Sequence, residues 1–583
     1  MRSERTPRLD APGVARRRFL KAVPAAVAAG LAAPAMAQQP APEPGPIDPP
    51  TLDCAEKIFG VDFTEAEEEM ARRGANRNLG AYEDLRKIDI PLDTEPAITF
   101  RPYLPGRRPS GHATPGARLR LSAPELPAFS TLEELAFLPA VTLGALVRAG
   151  KVTSTDLTKM YLTRLKRHGD TLHAVVTLTE ALALERAAEA DRELRAGIWR
   201  GPLHGVPWGA KDLFAARGYR TTWGAKPYET QVLDYDAAVV ERLRDAGAVL
   251  VAKLSMGALA QGGVWFGGST RNPWDLERSS SGSSAGPGAA TAAGLVGFAL
   301  GTETRGSIIS PSAATGVTGL RPTYGRISRR GAMALSWTMD KIGPMARTVE
   351  DCVAAFGAIY GPDGRDDTVV DAPFDWNPDA PLGTLRIGYV KSEFESVPED
   401  ATPEQRTSRE AQNRVLAAAL DVLRARGAHL EPMALPDFPA DAIGFILSAE
   451  AAAAFDDLTR SRGIDQLVSQ DERSWPNTFR TSRFIPAVEY IRAQRARTLL
   501  IRQLDQLMSQ YDLFLSPTRS ASLAMTNLTG HPALAMKAGF ADGLPVALMI
   551  TGRLYDEATV LRVALAYERA TTWHTRHPTL DGK

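Results

Sequence analysis

Apolar and polar positions change their period along this chain, and the change divides it. Residues 237–248 (AAVVERLRDAGA) repeat their apolar positions at helical spacing, so the pattern predicts a helix. Residues 249–255 (VLVAKLS) follow as a nearly unbroken apolar run, which predicts a buried strand. Residues 288–296 are small and apolar and predict a tightly packed helix. This alternation of helix and strand begins near Thr131 and argues for one large α/β domain over 131–578. The chain before it reads differently. Residues 38–50 (QQPAPEPGPIDPP) form a proline-rich tether of extended character, 55–73 carry a helical pattern, and 101–116 (RPYLPGRRPSGHATPG) are again proline-rich and basic. Residues 38–130 are therefore expected to be an extension wrapped on the main body, without a core of their own. No repeat of fixed period is visible.

Composition narrows the function classes. With 583 residues, 44% hydrophobic and 23% charged, the chain can bury a large core and is neither disordered nor fibrous. Basic and acidic residues balance at 68 each, so no long-range field recruits nucleic acid or an anionic membrane surface, and a small partner is expected. At the amino terminus Arg16-Arg17-Arg18-Phe19-Leu20-Lys21 matches a twin-arginine pattern before an alanine-rich run, and Ala35-Met36-Ala37 supplies a cleavage site. Residues 22–37 contain two prolines and are too short to span a bilayer core of ~30 Å. Residues 1–37 are thus expected to be a removable signal and the protein to be periplasmic or secreted. Their removal leaves 61 basic against 66 acidic residues, a mature net charge of −5.

Motifs for a metal or nucleotide cofactor are missing: there is no C-x-x-C, no H-E-x-x-H, and no Walker or dinucleotide glycine loop. No cofactor is expected. Cys54 and Cys352 are the only cysteines. An oxidising compartment permits a disulfide between them, but two buried thiols are the expected state.

Candidate chemistry concentrates in 279–311, which holds seven serines and no histidine. Gly282 to Gly286 fits the G-x-S-x-G elbow with Ser284 at its centre. An elbow needs a preceding buried strand and a base, and residues 274–281 (WDLERSSS) make a poor strand. The alternative nucleophile is Ser307 in GTETRGS, where the loop offers successive backbone N–H groups at Thr304, Arg305, Gly306 and Ser307 that can form an anion-binding concavity. Lys211 in HGVPWGAKD suits the base: a largely apolar segment carries it inward, and a buried lysine loses the stabilisation of its charge. The alternative for Lys211 is a salt bridge with Asp212 or a distant acid.

These blocks together resemble the amidase signature family, whose pattern runs G-V-P-x-x-x-K-D, then G-S-S-G-G, then G-T-D-x-G-G-S. Further likeness lies in GLRPTYGRIS, DKIGPMARTVEDC, TNLTGHPALAMKAGF, GLPVALMITGR and DEATVLRVALAYE. The resemblance implies an α/β fold with a mixed β-sheet of about eleven strands covered by helices on both faces. It assigns Ser307 as the acylated nucleophile, Ser283 as a bridging serine after a cis peptide, and Lys211 as the base. Thr304, Arg305, Gly306 and Ser307 align with the oxyanion-hole amides, and Ser284 with a serine beside the lysine. It implies hydrolysis of a carboxamide, on a small-molecule or peptide substrate. The second enzyme reading is the glutaminase component of an amidotransferase, and the third is a non-catalytic binding protein. A homodimer is compatible with it; nucleic-acid binding and stable membrane insertion are not expected. Glu303, Arg305, Ala285 and Ile309 depart from the usual pattern and bear on the substrate; the first two resemble a branch reading G-T-E-T-x-G-S-I that includes peptide-amidase-like members, here an exported one. Arg305 either meets a substrate carboxylate or forms a structural ion pair, the latter being expected. Trp265 and Phe266 fall near residues that line the acyl pocket in relatives, with a core role equally compatible.

Overall fold

A computed structural model describes residues 46–580 except 61, 86, 88–97, 117 and 118. The twin-arginine stretch and its cleavage site lie outside the described residues. The chain divides into two compact units, 1–88 and 89–583.

In the first unit the pattern over 55–73 resolves into two helices, Pro49–Phe59 and Glu65–Leu85. One helix was expected across this stretch. The break is at Gly60, whose φ of 68° ends the first helix in the left-handed region that glycine enters without a Cβ clash. Asp48 caps that helix by accepting from Thr51 N, and Asn76 exchanges two hydrogen bonds with the Ile47 backbone (3.1 and 2.9 Å).

The second unit is built on an eleven-stranded mixed sheet. Its strands are β1 (Val175–Leu178), β2 (Pro207–Lys211), β3 (Val249–Leu254), β4 (Phe298–Glu303), β5 (Thr318–Arg321), β6 (Lys341–Ala346), β7 (Arg386–Val390), β8 (His429–Met433), β9 (Leu513–Pro517), β10 (Ala533–Ala541) and β11 (Leu544–Gly552). Their order is β1-β3-β2-β4-β6-β5-β10-β11-β9-β7-β8. At the centre, β2 runs parallel to both β3 and β4, while β6 pairs antiparallel with β4, setting Lys341 opposite Glu303 and Ile342 opposite Thr302. Every residue of β2, β3, β4 and β6 is buried, as expected of strands covered on both faces. The helix and strand predicted over 237–255 are present as Ala238–Asp245 and β3.

The small-residue helix runs over Ala285–Ala292, three residues earlier than its pattern suggests. Pro287 is accommodated in the first turn, where an amide hydrogen has no helical partner. The chain turns back after Ala293, with Leu295 N returning to Ala290 O (2.9 Å). All eight residues are buried, and a Cβ on Gly286 would lie 2.5 Å from Ser255 N, so the helix packs directly against the end of β3. Residues 274–281, read as a poor strand, do contain one: Asp275–Ser279 pairs with Arg271–Asn272 in a small ribbon outside the main sheet. Its residues are half-buried or exposed, so backbone pairing forms it without a hydrophobic pattern.

Residues 98–130 belong to the larger unit. Ala113 N donates to Asp371 Oδ1 (2.6 Å), Gly116 N to Gly357 O (2.9 Å), and Trp376 Nε1 to Arg120 O (2.8 Å). Both cysteines are free thiols; Cys352 is buried as expected, but Cys54 is exposed, on a helix in which Glu56 is the buried residue.

Candidate active site

Lys211 ends β2 and has no solvent-exposed surface. Its Nζ lies 2.8 Å from Ser283 Oγ, 3.1 Å from Ser284 Oγ and 2.8 Å from Thr302 Oγ1. Burial lowers its pKa from 10.5 to about 7, against the opposing fields of Asp340 and Glu303. The salt bridge with Asp212 does not form. Adjacent strand positions face opposite ways, and Asp212 is taken by Lys253 of β3 at 2.8 Å, with Thr222 N on its other oxygen (2.9 Å). Lys253 also donates to Thr221 Oγ1 (2.9 Å) and Arg220 O (3.1 Å), so this buried pair is closed on itself.

Ser283 and Ser284 sit between the ribbon and the helix Ala285–Ala292, and the Gly282–Ser283 peptide is cis. Ser284 Oγ bonds to Lys211 and to both the N (3.2 Å) and O (3.1 Å) of Thr302. Among the described residues no histidine, the base that the elbow reading requires, is hydrogen-bonded to the Ser284 side chain. His531 is instead buried beneath Arg321, with its pKa lowered by burial to about 3, and its ring nitrogen lies 2.8 Å from Thr529 Oγ1.

Ser307 is brought to this cluster by the turn after β4. Its backbone O accepts from Ser284 N (3.2 Å) and its side chain is half-buried. A bond between the Ser283 and Ser307 hydroxyls is not among those of the described residues. Gly306 makes the one left-handed step of the loop, at φ 113°; a Cβ there would press on Ser310 Oγ (3.1 Å) and Leu523 Cδ2 (3.3 Å). Arg305 is exposed, stays out of the left-handed region, and pairs with the exposed Asp441 at 3.0 Å.

Two acids fix this loop: Glu303, which the sequence marks only as a departure bearing on the substrate, and Asp340, which the sequence does not single out. Glu303, at the end of β4, accepts from Ile308 N and Ile309 N through one oxygen (2.8 Å each). Through the other it accepts from Arg321 and Asn527 (2.8 Å each). Burial alone would raise the Glu303 carboxyl, but Arg321 and the Ile309 amide overcome it and hold it below its ordinary value. Asp340 accepts from Thr304 Oγ1 (2.6 Å), Leu335 N (2.8 Å) and Ser336 N (2.9 Å). Thr302, Thr304 and Asp340 share a cavity of about 70 Å³ with Leu213, Met333 and Trp337. Trp265 is buried and donates to His173 O (3.2 Å), with Phe266 edge-on at 4.8 Å, which makes it part of the core. Among the described residues no cluster of His, Cys, Asp and Glu is arranged to hold a metal ion.

A buried lysine of lowered pKa bonded to two serines, on an eleven-stranded mixed sheet flanked by helices, is the arrangement that defines the class of this α/β fold. Residues 156–525 match the amidase family, and the chain belongs to it, within the amidase signature group. Its curated relatives include the A subunit of the glutamyl-tRNA(Gln) amidotransferase of Roseiflexus sp. (strain RS-1), 38% identical, with 75% of this chain and 96% of the relative covered. The corresponding protein of Geobacillus kaustophilus is 37% identical over 75% and 98%. Among solved structures, the peptide amidase of Stenotrophomonas maltophilia superposes with a TM-score of 0.66 at 32% identity, covering 77% of this chain and 100% of that one.

Proposed function

We propose that this chain hydrolyses a carboxamide through an acyl-enzyme on Ser307, with Ser283 and Lys211 as its proton relay. The observation that carries the reading is the 2.8 Å contact between a solvent-free Lys211 Nζ and Ser283 Oγ, with the amine's pKa lowered to about 7. A neutral amine has two N–H groups for Ser284 Oγ and Thr302 Oγ1, and its lone pair is then free to take the Ser283 proton.

In the first half-reaction Ser307 Oγ attacks the amide carbon, its proton passes to Ser283 Oγ, and the Ser283 proton passes to Lys211 Nζ. The amides of Thr304, Arg305, Gly306 and Ser307 receive the charge that develops on the carbonyl oxygen. The carbon–nitrogen bond then breaks, and the proton returns from Lys211 through Ser283 to the leaving ammonia or amine. Water repeats the sequence on the acyl-enzyme and releases the acid. The Ser307 hydroxyl must turn onto Ser283 for the first transfer; catalytic hydrogen bonds often close only with substrate in place. Ser284 holds the lysine and Thr302 together and takes no proton.

A second reading is favoured by the curated relatives, which are amidotransferase A subunits and share more identity with this chain than the peptide amidase does, 38% against 32%. In that reading the same first half-reaction frees ammonia from glutamine for a partner protein. The twin-arginine pattern supports the hydrolase instead, since we propose that it exports the chain, away from charged tRNA. Purified protein offered glutamine, peptide carboxyl-terminal amides and aryl amides, with ammonia or amine release measured, separates the two. Turnover of glutamine alone would replace the hydrolase reading with the amidotransferase one. No turnover of any amide, together with no fluorophosphonate label on Ser307, would sink both.

A further inference from the structure

We propose that Asp340 is a positioning residue that ties the loop carrying Ser307 to the electrostatics of Lys211. The inference rests on the acyl-enzyme reading for its function and on independent geometry for its structure. Asp340 precedes β6, the antiparallel neighbour of β4, and so lies beside the point where β4 gives way to the loop. Its carboxyl group accepts three hydrogen bonds, from the Thr304 hydroxyl and from the amides of Leu335 and Ser336. Burial raises the Asp340 pKa above the ordinary carboxyl value, while these three donors and the Arg329 charge oppose the rise and favour the carboxylate.

Thr304 is the first residue of the proposed oxyanion loop, and its side chain is held at 2.6 Å. Glu303 binds the amides of Ile308 and Ile309 at the other end. The three residues between, Arg305, Gly306 and Ser307, are therefore anchored on both sides by acids. Fixing Thr304 Oγ1 fixes the plane of its own peptide, and oxyanion donors act through being preorganised. The same carboxylate lines the cavity that Thr302 lines, and Thr302 Oγ1 is 2.8 Å from Lys211 Nζ. Thr302 thus borders both the base and the cavity that Asp340 lines.

Of the other charges around Asp340, Arg329 also acts on its carboxyl, opposing the effect of burial, and each arginine has a further acidic partner. Arg329 pairs with Asp366 (3.5 Å), Arg330 with Glu241 (3.6 Å), and Arg365 with Glu241 and Asp363. Glu303 lies across β4 and is matched by Arg321. Lys341 is turned to Met339 O, and burial lowers its pKa well below the ordinary lysine value. Asp340 is consequently the largest charge opposing the desolvation of Lys211, and Glu303 the next. A negative charge here favours the ammonium, so it keeps the Lys211 midpoint from falling further. Without it the amine would titrate at lower pH and be a weaker base for Ser283.

Two measurements test this. Lys211 is titrated by NMR in ¹³C-lysine-labelled protein, with Lys211→Met giving the assignment, and Ser307 reactivity is read as its rate of fluorophosphonate labelling. In Asp340→Asn the Lys211 midpoint should fall by roughly one unit. In Thr304→Val it should hold, while labelling slows about tenfold or more, the scale of a misplaced oxyanion donor; Thr304→Ser should restore the rate. A Lys211 midpoint unmoved in Asp340→Asn, or Thr304→Val labelling at the unsubstituted rate, overturns the proposal. Should Asp340→Asn fail to fold, Asp340→Glu replaces it: the charge stays, so the midpoint should hold, and the longer side chain displaces Thr304, so labelling should slow. A shifted midpoint with normal labelling in Asp340→Glu also overturns the proposal. The midpoint is read whether or not Ser307 reacts, so failure of the acyl-enzyme reading and failure of this one give different results.

Discussion

The Nζ of Lys211 lies 2.8 Å from Ser283 Oγ, on a side chain with no solvent-exposed surface. Burial is the first cause of its lowered pKa, and this makes both rate and stability depend on pH in ways that can be separated.

For activity, the neutral amine is the base, so kcat/KM should rise through about pH 7 and level above it. For stability the sign is set by proton counts. The unfolded lysine holds its proton up to about 10.4 while the folded one releases it near 7, so between these values the unfolded state binds more protons. Stability should therefore rise with pH across that window. Lys211→Met should lose ~10²- to 10⁴-fold in rate and flatten the stability slope. Denaturant unfolding at pH 7 and pH 9 reads the slope; an unchanged difference between the two would show that Lys211 is not neutral in the folded protein.

The serines are expected to fall into three grades. Ser307→Ala should abolish turnover and phosphonate labelling together. Ser283→Ala should keep the nucleophile but lose the relay, leaving slow labelling with no limb near pH 7. Ser284→Ala should retain labelling at Ser307 at reduced rate, because it removes a hydrogen bond to Lys211 without removing a proton carrier. Label appearing on the peptide that contains Ser284 would reverse the assignment.

Much of this arrangement is legible in the order of residues, and the part that is not has a physical reason. Lys211, Ser283 and Ser307 stand in short blocks whose residue order is itself the signal, and the apolar run of β3 predicts its own burial. The Glu303–Arg321 and Asp212–Lys253 pairs are different. Each joins residues on separate strands, so the partner is chosen by strand order and facing, which the spacing along the chain does not encode. Lys211 and Asp212 look like one charged pair in sequence and become two unrelated environments because a strand turns successive side chains to opposite faces. The helix break at Gly60 is hidden for the opposite reason: one left-handed residue is too local to disturb a periodic pattern read over many.

Glu303 and Arg321 form a buried ion pair at 2.8 Å. Arg321→Met should cost about 3–5 kcal/mol, chiefly by stranding the carboxylate. The folded Glu303 pKa is depressed, so the stability it lends is present above the ordinary carboxyl value and is lost as pH falls through the folded one. In Arg321→Met the carboxyl would be raised instead, and protonation would relieve it. The deficit measured by urea unfolding should be larger at pH 7 than at pH 4; equal deficits would mean that lost packing, not stranded charge, is responsible.

Export is tested at Arg16 and Arg17. Replacing both by lysine should leave full-length protein in the cytoplasm, whereas the unsubstituted chain appears shortened by about 37 residues in the periplasmic fraction. A doubly substituted protein that still reaches the periplasm would assign the segment to another route, and an unsubstituted protein found intact in the cytoplasm would favour the amidotransferase reading.

Arg305 decides whether the site reads a carboxylate on its substrate. Among the described residues its guanidinium pairs with Asp441 at 3.0 Å, and Asp441 is 93% exposed. Such a surface pair is worth roughly 0–1 kcal/mol, so Arg305→Ala should leave the unfolding transition nearly unmoved. The same weakness means that a substrate carboxylate could displace Asp441 at little cost and gain a paired contact with the arginine. Two kinetic outcomes follow. If Arg305 serves only its ion pair, Arg305→Ala and Asp441→Ala change kcat/KM equally for glutamine and for neutral amides. If it binds substrate, Arg305→Ala lowers kcat/KM for glutamine and other carboxylate-bearing amides through KM while sparing neutral ones. Asp441→Ala, which frees the guanidinium, then raises it for that same class. The exposed pairing favours the first outcome, and a selective loss in Arg305→Ala accompanied by a selective gain in Asp441→Ala would overturn it.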